Sequence, residues 1–187
     1  GGKDCAWALH ELTRQGIRVA ALVTTFDQAT RRVPIHNVGI DDILKQAAAL
    51  NLPLWPTPLP WPCPNDRYGE CLHEVLKASG IRRVAFGDLF LEDIRQFRER
   101  LFQDTELIFP LWGTPTGELA RRIIASGYRA RVVAVDEKFE PSSLVGREFD
   151  ERFLEDLPPG VDPCGENGEF HTFVYDGPGF RFSVFRS

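Results

Sequence analysis

The chain of 187 residues has no methionine, no cysteine pair spaced C-x-x-C, and no apolar run near the roughly 20 residues that a membrane-spanning helix needs. Each absence closes a class. The four cysteines, at positions 5, 63, 71 and 164, are scattered, which removes zinc and iron–sulfur spacings and fits the reduced thiols of a cytoplasmic protein. No secretory signal is visible. With no initiator methionine in the sequence, a targeting segment ahead of Gly1 stays open. Cationic residues are also short: 22 Lys and Arg against 27 Asp and Glu give a net charge of −5. That balance speaks against a nucleic-acid partner, although Arg31-Arg32, Arg82-Arg83 and Arg121-Arg122 form local pairs.

What is present is the composition of a soluble enzyme domain. Apolar residues at 43% and charged residues at 26% exclude a disordered chain, and a chain of this length buries about 70% of its unfolded surface. Apolar, β-rich runs alternate with helical periodicity, the pattern of an α/β protein with a doubly wound, mostly parallel sheet. Helices are expected over 3–15, 41–50, 68–79, 91–102, 116–126 and 147–157. Strands are expected over 17–25, 52–54, 82–86, 107–111 and 130–135, with 170–175 and 180–185 as an antiparallel pair. Prolines 53, 56, 58, 60, 62 and 64 are expected to cut the second strand short and form a stiff extended connector. The rhythm changes after Asp136, dividing the chain into a nucleotide-binding region, 1–136, and a small C-terminal α+β addition for substrate recognition, 137–187.

The first five residues are Gly1-Gly2-Lys3-Asp4-Cys5, followed at once by an amphipathic helix. Two glycines let backbone N–H groups approach a phosphate, and the helix start adds unpaired N–H groups and the positive end of its dipole. Lys3 adds a point charge; Asp4 reads as a Mg²⁺ ligand or as a loop-orienting side chain. Taken alone, the five residues read more readily as an ordinary turn. A phosphate loop of this kind follows a strand, so a strand is expected upstream of Gly1.

In an open parallel sheet ligands sit at the carboxyl ends of strands. Two further ends carry polar groups: Thr24-Thr25, and Gly87-Asp88, where the aspartate caps the next helix or binds Mg²⁺. Glu92, Arg95 and Arg98, spaced i, i+3, read as a charged surface face. His36, beside a helix start, binds substrate or moves a proton, or else is a hydrogen-bonded structural residue. Gly165 and Gly168 permit tight turns that gather Glu166, Asn167 and Glu169 into a polar cluster suited to an ammonium ion, a substrate amine or Mg²⁺, with Phe170 and Phe173 as anchors.

The opening residues resemble the SGGxDS signature of the PP-loop ATP pyrophosphatases, the N-type family within the adenine nucleotide alpha hydrolases. The leading Ser would precede Gly1, and Cys5 stands for the final Ser, which is expected to weaken one hydrogen bond toward phosphate. The segments FGDLFLEDIR (86–95), FPLWG (109–113) and DPCGENGEFHT (162–172) follow in the order of one branch, which resembles diphthine–ammonia ligases and their bacterial relatives over nearly the whole chain. In that branch the last loop resembles EGGEYET; here Asn167 stands for a Gly and His171 for a Glu.

The resemblance implies a Rossmann-like, HUP-type fold that uses ATP and Mg²⁺. It places Gly1, Gly2, Lys3, Asp4, Cys5, Thr24, Thr25 and Gly87 on the nucleotide. Lys3, Asp4 and Asp88 become catalytic, with Asp4 and Asp88 on Mg²⁺, and His36, Glu166, Asn167 and Glu169 sit on the acceptor. The implied reaction is attack of a carboxylate on the α-phosphate of ATP, releasing pyrophosphate, followed by displacement of AMP by ammonia or another amine. An RNA-thiolating enzyme and an ATP-binding regulatory module without turnover stand as alternatives. The acid, the amine and any homo-oligomer stay open.

Overall fold

The strands fall into three hydrogen-bonded sheets in the computed structural model, which describes residues 1–136, 138 and 142–185. In chain order the elements are α1 (Lys3–Arg14), β1 (Leu22–Asp27), β2 (Arg32–Val33), β3 (Val38–Gly39), α2 (Ile40–Ala49), β4 (Leu54–Leu59), α3 (Asn65–Ser79) and β5 (Arg83–Ala85). They continue as α4 (Glu92–Leu101), β6 (Glu106–Ile108), α5 (Thr116–Ala125), β7 (Arg129–Val135), α6 (Glu151–Glu155) and β8 (Phe170–Asp176), with a short 3-10 turn at Ser142–Leu144. A four-stranded mixed sheet runs β3-β2-β1-β4, β5 and β6 form a parallel pair, and β7 and β8 an antiparallel pair. The architecture is thus α/β with parallel pairs, and the strands are not joined into one continuous sheet among the described residues.

Local sequence explains the helix bounds. α1 buries Trp7, Ala8 and Leu12 on one stripe and stops at Gly16, whose φ of +75° suits a left-handed cap. There Ile17 N donates to Leu12 O at 2.9 Å and Gly16 N to Thr13 O at 3.0 Å, the paired bonds of a Schellman ending. α2 closes the same way on Asn51 (φ +54°), with Leu52 N donating to Ala47 O.

Three strand expectations are corrected. The strand expected over 17–25 begins only at Leu22. The strand expected to end at 54 instead starts there and runs through Pro56 and Pro58, in parallel register with Thr24 and Phe26. Those prolines are exposed on the outer edge, while Pro53 O and Leu59 O face β1 and accept from Leu22 and Gln28. Prolines at every second position remove donors from one side of the strand only, so an edge strand tolerates them. Residues 180–185 form no strand; Arg181 N donates to Ala49 O, Val184 N to Tyr175 O, and Phe185 packs on Phe173 and Tyr175.

The helix expected from 147 begins after Asp150, whose Oδ1 accepts from Phe153 N at 2.8 Å. Residues 147–149 are instead extended against β7, with Val132 N donating to Arg147 O and Phe149 N to Ala130 O. The C-terminal region expected from 137 includes residues 137, 139–141, 186 and 187, which lie outside the described residues.

β8 positions the site. Phe170 and Val174 belong to the core around Trp7, Leu119, Phe149 and Phe153, whereas Phe173 and Tyr175 belong to the core of Phe26, Val38, Ile40 and Ile43. Alternate side chains point to opposite faces, so β8 is buried on both sides and links the two cores. No described helix is long and apolar enough to cross a membrane.

Candidate functional site

Three segments meet at the start of α1. The first is the chain's own opening. Gly1 O accepts from Val174 N at 3.2 Å and from Gln46 Nε2 at 2.9 Å, and Lys3 N donates to Thr172 Oγ1 at 3.1 Å, so residues 1–3 lie along β8. A Cβ at Gly2 would come within 3.0 Å of the Thr172 carbonyl oxygen, so glycine admits the strand backbone here.

The Lys3 side chain is only 2% exposed. Its Nζ donates to Asp4 Oδ2 at 2.9 Å and to the Cys164 carbonyl, and sits 5.5 and 5.4 Å over the Phe149 and Phe170 rings. Burial pulls its pKa down, but Asp4 foremost, with Cys164 and Glu166, outweighs that effect and leaves the pKa raised. The ammonium therefore stays charged and points inward, tying α1 to the last loop. Beside it, Asp4 Oδ1 is buried without a hydrogen-bond partner. Among the described residues the Asp4 and Cys5 N–H groups have no protein acceptor, as the first turn of a helix leaves them. Cys5 is exposed.

The second segment is the turn after β5. A Cβ at Gly87 would lie 3.0 Å from Asp4 C and 3.2 Å from Cys5 N, so this backbone abuts the helix start. Next to it, both oxygens of Asp88 are held by Arg98: Nη2 meets Oδ1 at 3.0 Å while Nε donates to Oδ2. The guanidinium also stacks 4.1 Å over Phe86. Burial works against its charge, and the hydrogen bond and charge of Asp88 override it, raising the Arg98 pKa. Arg98, expected on a charged surface face, is instead 19% exposed and committed to Asp88.

The third segment is the loop 162–172. Asp162 Oδ2 accepts from the Cys164 and Glu166 N–H groups, both at 3.0 Å. Glu169 is 2% exposed, and its Oε1 accepts from Asp162 N and Asn167 Nδ2, both at 3.0 Å, while Oε2 is buried without a partner. At Gly165, φ is +65° and a Cβ would sit 2.6 Å from Phe170 O, so no other residue fits. Glu166 Oε1 accepts from Leu89 N at 2.8 Å and joins this loop to the second segment. Burial, with Asp4 and Asp88 nearby, pushes its carboxyl up to about 7. Burial likewise pushes the Cys164 thiol up to about 12, which leaves no thiolate to act as a nucleophile.

The structure therefore brings together Gly1, Gly2, Lys3, Asp4, Cys5, Gly87, Asp88, Glu166, Asn167 and Glu169. His36 joins through His171, the ring centroids 4.3 Å apart. Thr24 and Thr25 lie half-buried in β1, and no hydrogen bond among the described residues links their side chains to the other three segments. Sequence reasoning missed the Arg98 clamp, ten residues from Asp88, and the Thr172 hydroxyl and the Phe149 ring, which are contacts between distant segments. The spacing of Asp162 two and four residues before the N–H groups it accepts was a legible turn signal.

Residues 115–185 match the family model described as the diphthamide synthase C-terminal domain. Over 98% of this chain and 79% of their own length, the diphthine–ammonia ligases of Homo sapiens and Bos taurus are each 26% identical to it. These matches make the chain similar to the diphthine–ammonia ligase family. The stretch matched by the diphthamide synthase model contains β7, β8 and the 162–172 loop, while the match to the diphthine–ammonia ligases covers 98% of the chain.

Proposed function

We propose that the chain is an ATP-dependent, AMP-forming ligase that adenylates a carboxylate and passes the acyl group to ammonia or a small amine. The observation that carries this reading is the start of α1, where two N–H groups without protein acceptors and an unpartnered, buried Asp4 Oδ1 face the junction of three segments. Such a helix start receives phosphate oxygens, and the free carboxylate oxygen fits one position in the oxygen shell of Mg²⁺. Asp88 fits that role less well, because Arg98 takes both its oxygens. The ligase names of the relatives support the reaction class.

In this reading the carboxylate oxygen forms a bond to the α-phosphorus and the bond to the β-phosphate breaks, its electron pair leaving with pyrophosphate. The difficulty is one negative charge approaching another. The Asp4 and Cys5 amides lower it by stabilising charge that develops on phosphate oxygens, and positioning by the rigid junction supplies much of the remainder. Mg²⁺, when bound, neutralises charge on the departing pyrophosphate. Lys3 acts indirectly, fixing Asp4 Oδ2 so that Oδ1 points free. The region 137–187, with Glu166, Asn167 and Glu169, then recognises the acceptor, and Thr24 and Thr25 face the nucleoside.

The test is product analysis with Mg²⁺-ATP, ammonium and a panel of carboxylic acids that includes diphthine. The expected products are AMP and pyrophosphate, appearing only with an accepted acid and lost in Asp4→Asn. ADP and phosphate as the main products would refute the proposal.

A further inference from the structure

Two histidines stand beside this junction in a setting that neither the adenylation step nor core packing requires. His36 lies in the turn between β2 and β3. Its backbone N donates to Pro34 O at 2.7 Å, a three-residue γ-turn whose central residue, Ile35, has φ +67°. That form of the turn is rare and strained, the more so for a β-branched residue, and Asn37 follows at φ +53°. Backbone strain of about 1–3 kcal/mol is held where the surroundings over-determine it. What this turn achieves is the aim of one ring: His36 Nδ1 also faces Pro34 O, at 3.4 Å. A carbonyl only accepts, so Nδ1 carries the proton and Nε2 keeps its lone pair.

The face that receives this ring is His171, 4.3 Å away between centroids and tilted by 47°. His171 directly precedes Thr172 in β8, whose hydroxyl and carbonyl touch Lys3 N and crowd Gly2. Neither His36 Nε2 nor the His171 ring has a hydrogen-bond partner among the described residues.

We propose that His36 Nε2, backed by the His171 ring, forms the subsite for the amine donor, accepting an N–H of ammonia or a small primary amine and taking that proton as the new N–C bond forms. The step rests on the adenylating reading above. The nitrogen lone pair attacks the acyl carbon, the nitrogen proton passes to His36 Nε2, and the C–O bond to AMP breaks with its electron pair leaving on the phosphate oxygen. Attack makes the nitrogen cationic and acidic, so a weakly basic imidazole suffices to receive its proton.

The electrostatics agree. Burial, with Lys3, lowers the His36 pKa against the opposing Pro34 carbonyl and Asp4. Burial, His36 and Lys3 bring His171 to about 4 against Asp136. Both rings are neutral near pH 7, so no cation on the pair repels an amine. A carboxylate at position 171 would favour ammonium, which has no lone pair with which to attack; two neutral imidazoles favour ammonia.

Two measurements test this. Long-range ¹H–¹⁵N spectra of the histidine-labelled protein are expected to show His36 as the neutral Nδ1–H tautomer at pH 7, with its Nε2 resonance moving on addition of ammonium chloride at pH 9. An Nε2–H tautomer, or an Nε2 signal indifferent to ammonia, overturns the proposal whatever acid the enzyme uses. In turnover, His36→Gln is expected to lower ammonia-dependent amide formation at least about 100-fold. The same variant should keep acid-dependent ATP–pyrophosphate exchange, and should form hydroxamate with hydroxylamine, a weaker base whose adduct sheds its proton more readily, with a far smaller loss. Equal losses with both donors, or lost exchange, make His36 structural. If no acid supports exchange in the parent protein, the adenylating reading falls, and the ammonia titration still decides whether the pair binds an amine.

Discussion

Asp4 and Asp88 each follow closely on a glycine, and both are paired with a basic side chain, yet they end in opposite states. Asp4 is paired with Lys3 through one oxygen and keeps the other free; Asp88 is clamped through both by Arg98. The difference lies in the cation. An ammonium is a compact point donor and leaves a lone-pair face of the carboxylate open, whereas a planar guanidinium matches both oxygens at once. The lesson is that a carboxylate's availability for a metal or phosphate-bound ion is set by which cation pairs with it, a contact that arrives here from one residue away in one case and ten in the other.

The strongest way to break the comparison is to disable the free carboxylate. Asp4→Asn keeps the shape and removes the charge, and is expected to cut kcat/KM by about 100-fold or more, the scale of losing one electrostatic catalytic group; it also weakens the partner of the buried Lys3 ammonium, so the denaturation midpoint is expected to fall as well. If turnover survives, Asp4 is only a brace for Lys3. Removing the clamp should act chiefly on stability. Arg98→Met leaves Asp88 unpaired in a mostly buried place and is expected to lose about 2–3 kcal/mol of stability by urea denaturation. Adding Asp88→Asn to that variant should restore part of the loss, because the two residues form one unit. Additive losses would mean that the pair is incidental.

The chain order made the helices legible and the sheet less so. α2 and α5 fall within a residue or so of their expected bounds because amphipathic stripes and caps are local signals. β4 was hidden because proline counts against a strand unless the reader knows that it lies on an edge, and the edge is a property of the whole sheet. Residues 180–185 alternate like a strand, but their backbone makes only scattered bonds. The site divides in the same way: Gly2, Asp4 and Glu166 were visible as residue types, whereas the Arg98 clamp and the inward turn of Lys3 depend on folding distant segments together.

Gly87 sharpens the comparison at intermediate scale, because it is the point where the two aspartate segments touch. The Cβ of Gly87→Ala would press on the Asp4 and Cys5 backbone at 3.0 to 3.2 Å. Backbone cannot yield as a flexible side chain does, so a loss of about 1–2 kcal/mol is expected, with a larger proportional fall in nucleotide affinity as the helix start moves. Unchanged nucleotide affinity would separate this contact from the phosphate site.

The smallest effect concerns pH, and it compares the two ends of the 162–172 loop with β8. Glu166 has its pKa raised from an ordinary 4.5 to about 7, so the folded state keeps a proton that the unfolded chain releases. Its contribution is fully present below pH 4.5 and is lost as pH rises toward about 7. His171 runs the other way: its pKa is lowered from 6.5 to about 4, so the unfolded chain takes up a proton that the folded state refuses. Its contribution is present above pH 6.5 and is lost as pH falls toward about 4. The two slopes oppose each other between pH 4.5 and 6.5, and the parent protein should show a nearly level stability there. Glu166→Gln should uncover the histidine slope, making stability rise with pH across that window, and His171→Gln should uncover the glutamate slope, making it fall. Midpoints of thermal unfolding at half-unit steps in pH read both, and two variants with the same slope would show that other groups govern the window.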